Sequence, residues 1–243
     1  MGRVSGRERA GAAPAGDGRD RRWEDHRHER RELLLASAVA LIDRDGTDVG
    51  VATIAAGADI PRSVVYKLFR DREDLDDQIR ARIIEQISAV LTPSLRPQGT
   101  VRESVRRGVD SYVRWVGRHA NLHRFLGSGS ASRPSHGSQV ATGGKLAFAQ
   151  SIQQVLETQL PLTLGGRPGP PGAADNLAYG IVGLTDGVVN RWLVAAPSAR
   201  SSARDLSAFL CDAICSLIQT TVAMAGGEID LDAPLSPPTG SGR

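Results

Sequence analysis

Cysteine and aromatic residues are scarce in this chain, and each shortage excludes a class of structure. The two cysteines, Cys211 and Cys215, lie four residues apart, a spacing that suits neither a disulfide on one helix nor a disulfide framework. Aromatic residues make up 4% of the sequence, which disfavours a β-sandwich held by aromatic cross-strand pairs. We therefore expect packed helices with an aliphatic core, in a reducing compartment.

Long apolar runs and an apolar leader are also missing. No stretch approaches 18 consecutive apolar residues, which argues against a membrane span, and the first 30 residues are charged throughout, so no secretory signal is visible. The net charge is +3. Residues 1–31 supply this surplus, because they contain nine arginines against six acidic groups. The sequence predicts a soluble, cytoplasmic protein without a membrane partner.

The common sequence motifs of enzymes are not found. The chain has no Walker A loop, no Gly-x-Ser-x-Gly elbow and no His-Glu-x-x-His pair, and its glycine-rich stretches 127–137 and 165–172 lack a preceding strand. His119 and His123 have a spacing that suits one metal ion, but no third ligand lies nearby in the sequence, so we favour surface or pocket-wall histidines. We predict a protein that is not an enzyme and has neither cofactor nor metal.

Hydrophobic periodicity predicts an all-α chain of about nine helices. Residues 1–22 and 226–243 have little to bury, so we expect a disordered basic arm and a disordered tail. Between them we predict a three-helix domain over residues 23–70 and a larger helical domain over residues 71–225. Glycine, serine and proline predict loops at 127–138 and 161–172.

Residues 49–69 have the layout of a helix-turn-helix. A short supporting helix presents an apolar inner face, formed by Val51, Ile54 and Ala55. Asp59 can adopt the positive φ that such a turn requires, and Pro61 begins the second helix where its missing N–H costs little. Four cations and one acid between residues 62 and 72 would attract a phosphate backbone.

The stretch from Ile54 to Leu75 resembles the signature of the tetracycline-repressor (TetR) family of transcriptional regulators. The elements that match are Ile54-Ala55, Tyr66-x-x-Phe69 and Glu73-x-Leu75. Arg72 conservatively replaces the usual lysine, whereas Asp59 and Pro61 depart from the glycine and serine of the family's turn. The detailed match covers residues 34–75, and the remainder agrees in helix number and length only.

This resemblance implies which side chains bind duplex DNA. In the family, residues at the matching positions approach base edges or phosphates from the second helix, from the supporting helix and from the helix that follows: Arg62, Ser63, Val64, Tyr66 and Lys67, then Thr53, then Arg72. Arginine and lysine side chains can read guanine, which agrees with this role. Arg19, Arg21 and Arg22 could reach into a minor groove, or they could simply solvate the arm.

The resemblance also implies that residues 23–70 are a DNA-binding domain and residues 71–225 a ligand-sensing and dimerisation domain. It implies a homodimer paired through the last two long helices, and a cavity for a small-molecule effector among the middle helices. Candidate lining groups are Tyr112, Trp115, His119, His123, Phe125, Tyr179, Asp186, Asn190 and Trp192. Asp186 could instead form an ordinary ion pair with Arg191, and the cysteines are favoured as small packing residues. The implied function is a repressor that leaves a palindromic operator when its effector changes the spacing of the two recognition helices. A helical small-molecule carrier without DNA binding is the alternative.

Overall fold

The computed structural model describes residues 17–128, 139–167 and 169–235, with side chains from residue 23 onward. Within these ranges the chain forms nine α-helices, two short 3-10 turns (Thr92–Leu95 and Pro197–Ala199) and no strand. The helices are α1 (Asp17–Asp45), α2 (Val51–Gly57), α3 (Arg62–Leu68), α4 (Arg72–Leu91), α5 (Val101–Arg118), α6 (Ala120–Gly127), α7 (Gln139–Thr163), α8 (Ala173–Val194) and α9 (Ala203–Met224). The predicted all-α class with about nine helices is confirmed.

The first three helices pack around one cluster of apolar side chains. Leu34, Ala38 and Ile42 recur at helical spacing on α1 and are completely buried. They share the cluster with Ile54 of α2 and Val65 of α3. Because α2 and α3 have seven residues each, their own backbone hydrogen bonds cannot stabilise them, and this burial holds them in place.

The fourth helix connects the first three helices to the rest of the chain. Asp71 caps it, with a side-chain oxygen that accepts a hydrogen bond from the Asp74 N–H at 2.8 Å. Leu75, Ile79 and Ile83 recur every four residues and are fully buried. Through this stripe α4 packs against α1 on one side and against α5, α6 and α7 on the other.

The last helices form two closely packed pairs. α5 begins with a capping box between Thr100 and Glu103 and packs along α9, while α7 packs along α8. By length and composition alone, α9 is apolar enough to cross a membrane, a test that the core helix of a soluble protein also passes. Its apolar residues are interrupted by charges, so a search for uninterrupted runs misses it. One side of α9 belongs to the core, where it buries Leu206, Leu210, Ile214 and Ile218.

Two predicted boundaries are wrong at helix ends. α1 begins at Asp17, so residues 17–22 are helical rather than part of a disordered arm. A helix held by the buried residues of its second half extends easily through a preceding stretch in which three of six residues are arginine. α7 continues through Pro161 to Thr163, because buried Leu160 and Leu164 flank the proline and hold the last turn. The predictions for residues 1–16 and 129–138 lie outside the described residues.

The predicted disordered tail is also wrong for residues 226–235, which lie against the start of α5. The Arg102 N–H donates to the Leu231 carbonyl at 3.1 Å, and the Leu235 N–H donates to the Gly99 carbonyl at 2.7 Å. The Arg102 Nε lies 2.9 Å from Asp232 Oδ1, and the Leu231 side chain is buried. Burial of Leu231 and the packing of Ile229 against the core hold this segment in place, although it is rich in glycine and acidic residues. Residues 236–243 lie outside the described residues.

Candidate DNA-binding surface and ligand cavity

The turn between α2 and α3 has the predicted geometry. Asp59 has a φ of 54°, and it is the only residue other than glycine with a positive φ in the described ranges. The Ile60 N–H donates to the Ala55 carbonyl at 2.9 Å, which closes the turn. Pro61 lies immediately before the first residue of α3 and needs no N–H partner there. The turn therefore directs α3 away from α2 without strain from a bulky side chain.

The third helix separates its side chains into a buried and an exposed face. The buried face consists of Val65, Leu68 and the following Phe69. Val64 is half-buried at the boundary between the two faces. The predicted polar residues lie together on the exposed face, which comprises Arg62, Ser63, Tyr66 and Lys67. Thr53 is exposed on α2. We call the exposed face of α3, formed by Arg62, Ser63, Tyr66 and Lys67, the α3 surface.

The side chains of the α3 surface are partly ordered by one another. Arg62 Nη2 donates a hydrogen bond to the Tyr66 hydroxyl oxygen at 3.0 Å, and its guanidinium carbon lies 5.7 Å from the centre of the tyrosine ring. Arg27 of α1 donates from Nη2 to the Lys67 carbonyl at 3.4 Å. Arg27 therefore adds positive charge beside α3, a contribution that the family motif does not contain.

Arg72 makes contacts within the chain that the resemblance does not imply. Its Nη1 donates to the Val49 carbonyl at 3.0 Å, and its Nε lies 2.9 Å from Asp76 Oδ1. Asp76 is almost completely buried. These contacts tie the first turn of α4 to the segment before α2, while the predicted contact of Arg72 with DNA stays a prediction.

A cavity of about 310 Å³ lies among α4, α5, α7 and α8. The 3-10 turn at Thr92–Leu95 and the ordered part of the tail complete its wall. Most of the lining is aliphatic and includes Ile84, Ile87, Val105, Val109, Ile152 and Ile181. Its volume and apolar walls are typical of small-molecule sites.

Four of the predicted lining residues reach this cavity, namely Tyr112, His123, Asp186 and Asn190. The Tyr112 hydroxyl lies 3.0 Å from His123 Nε2, and the partner of Asp186 is Lys145 at 2.8 Å rather than Arg191. Burial, and to a smaller extent the charge of Asp186, raises the pKa of Tyr112. Burial also lowers the pKa of His123, so both groups are neutral near pH 7.

The other predicted lining residues lie elsewhere, which corrects five assignments. Trp115 is buried against His119, whose Nδ1 lies 2.7 Å from Asp43 of α1. Phe125 is buried beneath the guanidinium of Arg80 at 5.0 Å. Two residues lie outside the cavity on α8: Tyr179, which is exposed, and Trp192, whose Nε1 donates to the Ser201 carbonyl. These large rings fill the core or face outward, whereas aliphatic residues from separate helices form the cavity.

No group of three or more potential metal ligands comes together in the part of the chain that the structure describes. His119 and His123 have different partners, Asp43 and Tyr112, despite their spacing on the sequence. Cys211 and Cys215 are buried free thiols on α9. Burial, followed by the neighbouring Cys211, raises the pKa of Cys215 to about 11, which agrees with a packing role.

The outer side of α8 and α9 carries exposed apolar side chains, namely Tyr179, Val194, Phe209, Leu217 and Met224. Gly180, Gly183 and Gly187 lie on α8, and a Cβ atom added at any of them would meet no atom within 4 Å. These glycines do not serve close packing within the chain. We call this side, with its glycines and exposed apolar residues, the α8–α9 face.

Comparisons with known proteins agree with this architecture. No family model matches the chain. Over 226 residues it is 26% identical to an uncharacterised HTH-type transcriptional regulator of Mycobacterium tuberculosis, covering 88% of this chain and 87% of the relative.

Two solved structures have the same fold. A TetR-family transcriptional regulator from Streptomyces coelicolor superimposes with a TM-score of 0.61 at 19% identity, covering 79% of this chain and 84% of that protein. A TetR-like transcriptional regulator from Rhodococcus sp. RHA1 gives 0.54 at 18% identity, covering 78% and 95%. The chain therefore has the fold of TetR-family regulators, and the resemblance found in residues 54–75 is confirmed.

Proposed function

We propose that this chain is a TetR-type transcriptional regulator that binds duplex DNA as a homodimer, acts in the cytoplasm and is not an enzyme. The observation that carries the proposal is the α3 surface, where Arg62, Tyr66 and Lys67 are exposed although the opposite side of the same short helix is buried. A helix that is fixed on its inner side and polar on its outer side fits the major groove of B-DNA. The similar transcriptional regulators support this function.

The geometry suggests how each side chain of the α3 surface contributes. The Tyr66 oxygen accepts a bond from Arg62, so its own proton is available to donate to a phosphate oxygen. Lys67 and the remaining donors of Arg62 can contact base edges or phosphates. Val64 is half-buried, so its side chain reaches DNA less easily than that of Ser63. Thr53 can add a contact from α2.

A second copy of the chain is needed because one recognition helix contacts too few base pairs for tight binding. The α8–α9 face supplies exposed apolar area, and its three glycines leave room for another helix to approach. Burial of this face in a symmetric dimer would remove that area from water and place two copies of α3 on the same side of the assembly. Such a dimer fits a palindromic operator whose half-sites are about 34–36 Å apart.

The proposed effector response depends on α4, because this helix contacts both the cavity and the DNA-binding helices. Ile84, Ile87 and Leu91 line the cavity, whereas Arg72 at the other end holds the segment before α2. At 1.5 Å per residue, the 20 residues of α4 extend about 30 Å. A ligand that displaces the cavity end can therefore move α2 and α3, which would release the operator and make the protein a repressor.

A second connection to the cavity runs through Arg80, near the middle of α4. Its side chain is 1% exposed, and it donates to the Ser128 carbonyl at 3.2 Å and to Asp77 at 2.9 Å. Ser128 follows α6, whose last residues, Leu126 and Gly127, line the cavity. A displacement of α6 on ligand binding would therefore move α4 through the hydrogen bond between Arg80 and Ser128.

DNA binding can be tested with the two lysines of the chain, Lys67 and Lys145. After selection of an operator from random duplexes, Lys67→Ala should weaken operator binding about tenfold or more, whereas Lys145→Ala should leave it unchanged without ligand. The measurement is fluorescence anisotropy at fixed salt, with helix content checked by circular dichroism. Failure to select any duplex, together with tight binding of an apolar dye, would contradict the proposal and favour the helical carrier.

A further inference from the structure

Tyr112, His123, Lys145 and Asp186 lie together at one end of the cavity, whereas the lining further along is mainly aliphatic and also includes Ser88, Ser94, Ser104, Gln159 and Thr163. Tyr112 and His123 are the deeper members of this polar end, and Lys145 and Asp186 are its more exposed members. From there the aliphatic walls continue along α5 as far as Val101. Because α5 rises 1.5 Å per residue, the distance from Tyr112 to Val101 is about 16 Å, which accommodates a chain of roughly ten carbon atoms. The mainly aliphatic lining therefore suits an elongated, largely apolar molecule whose polar group lies at the Tyr112 end.

The hydrogen bonds of His123 indicate which kind of polar group fits. Its Nε2 lies 3.0 Å from the Tyr112 hydroxyl, and its Nδ1 is buried with no partner among the described residues. If Tyr112 donated this bond, Nδ1 would carry the imidazole proton and become a buried donor without an acceptor, which is costly. The other tautomer donates from Nε2 to the tyrosine oxygen and leaves Nδ1 as an unpaired acceptor, which is better tolerated. The Tyr112 proton is then available to an acceptor in the cavity.

The charges at the polar end favour a neutral ligand. Lys145 and Asp186 compensate each other at 2.8 Å. Burial keeps His123 uncharged, because it lowers the pKa of the imidazole. A carboxylate or ammonium would thus lose its hydration without gaining an uncompensated counter-charge. At the opposite end Arg96 also lines the cavity, but it is exposed, so solvent and salt screen its attraction for an anion.

We propose that the cavity binds an elongated, uncharged aliphatic molecule whose hydrogen-bond-accepting carbonyl group receives the hydroxyl proton of Tyr112. A ketone or an ester of about ten carbons has this chemistry. The inference that this ligand is the effector rests on the proposed regulatory function, whereas its binding to the cavity can be measured without DNA.

The test compares four molecules of similar length on the purified full chain. 2-Undecanone provides a neutral acceptor, n-undecane provides none, and decanoate and decylammonium provide opposite charges; each is titrated against bound Nile red, a neutral fluorescent dye. The ketone should displace the dye at a concentration about fivefold to tenfold lower than the alkane or either ion. Tighter binding of decanoate or decylammonium, or equal binding of ketone and alkane, would overturn the proposal.

A variant locates the acceptor site. Tyr112→Phe keeps the ring and removes the hydroxyl, so it should weaken 2-undecanone about fivefold and leave n-undecane unchanged. Tyr179→Phe removes a hydroxyl from a tyrosine of the α8–α9 face, outside the cavity, and keeps the ring that the proposed dimer would bury, so it serves as the matched control for ligand binding alone. If Tyr112→Phe leaves the preference of ketone over alkane intact, Tyr112 is not the donor and the proposal fails.

DNA binding is measured in parallel so that the two proposals can fail separately. Lys67→Ala, which should lose operator affinity, should bind 2-undecanone as the unaltered chain does. Ketone binding without any DNA binding would refute the proposed regulator and support the cavity assignment. Operator binding without a preference for the ketone would refute the cavity assignment and support the regulator.

Discussion

Arg72 and Val49 are joined by a hydrogen bond of 3.0 Å from the guanidinium to the backbone carbonyl, which fixes the start of α4 to the segment that precedes α2. The same guanidinium lies against the buried carboxylate of Asp76. The position that suggested a DNA contact in the sequence therefore holds the DNA-binding helices to the rest of the chain. Its loss should affect folding stability before it affects any single contact with DNA.

Replacement of Arg72 by alanine tests this structural role. Arg72→Ala leaves Asp76 without its partner and removes the bond to Val49, so we expect a loss of about 2 kcal/mol in the free energy of unfolding, measured in urea. Arg70→Ala is the matched control, since Arg70 is exposed and lies 3.7 Å from Asp74. It should cost less than about 0.5 kcal/mol. Equal effects of the two changes would refute the internal role of Arg72.

Asp59 provides a test of the turn that directs α3. Its φ of 54° is tolerated by aspartate and glycine but not by β-branched residues. We expect Asp59→Val to lower the free energy of unfolding by about 1–2 kcal/mol and Asp59→Gly to leave it equal or slightly higher. Thermal unfolding followed by circular dichroism provides the measurement. A valine variant as stable as the glycine variant would mean that the turn has another conformation.

The open glycines of α8 give a test of dimerisation. Gly183→Leu adds a side chain where the chain itself has no atom within 4 Å, so the monomer should fold, whereas a partner helix packed there would be excluded. We expect a monomer by light scattering and a decrease in operator affinity of roughly a hundredfold. Gly117→Leu on α5 is the control. A Cβ atom added at Gly117 also meets no atom within 4 Å, and this residue lies outside the α8–α9 face. A Gly183→Leu variant that remains dimeric would exclude this face as the interface.

Cys215 leads to a pH-dependent prediction. Because burial raises the pKa of this thiol to about 11, the folded state favours the protonated form. The resulting stability is present below about pH 9, the ordinary pKa of the group, and is lost as the pH rises toward 11. At pH 8 we expect both buried cysteines to react with an aromatic disulfide reagent about a hundredfold more slowly than in urea-unfolded protein. Equal rates would show that α9 is not packed as described.

The helix-turn-helix could be predicted because its determinants are local. The spacing of Ile54 and Ala55, the conformational tolerance of Asp59 and the Tyr66-x-x-Phe69 pair all lie within one short stretch, and each has the expected burial or φ. The internal contacts of Arg72 could not be predicted, because a motif gives the position of a residue along the helix but not its partners. Asp76 and Val49 become its neighbours only when α4 packs beside α2.

The cavity could be predicted only in part, because its walls come from helices that are distant in the sequence. Aromatic and polar residues were the natural candidates, yet Trp115 and Phe125 fill the core, and aliphatic residues of α4, α5, α7 and α8 enclose the space. The ion pair of Lys145 with Asp186 could not be predicted, because only the packing of α7 on α8 brings the two residues together. The packing of residues 226–235 on the start of α5 could not be predicted, because Leu231 is a single buried residue in a segment whose proline and glycine content is typical of disorder.

Entry of the α3 surface into DNA can be measured directly, because the chain has two lysines, Lys67 and Lys145. Reductive methylation with ¹³C-formaldehyde preserves the lysine charge and gives one resonance for Lys67 and one for Lys145, assigned with Lys67→Arg and Lys145→Arg. On addition of the selected operator, we expect the Lys67 resonance to shift and the Lys145 resonance to remain in place. An operator complex in which the Lys67 resonance does not move would show that the α3 surface does not contact DNA.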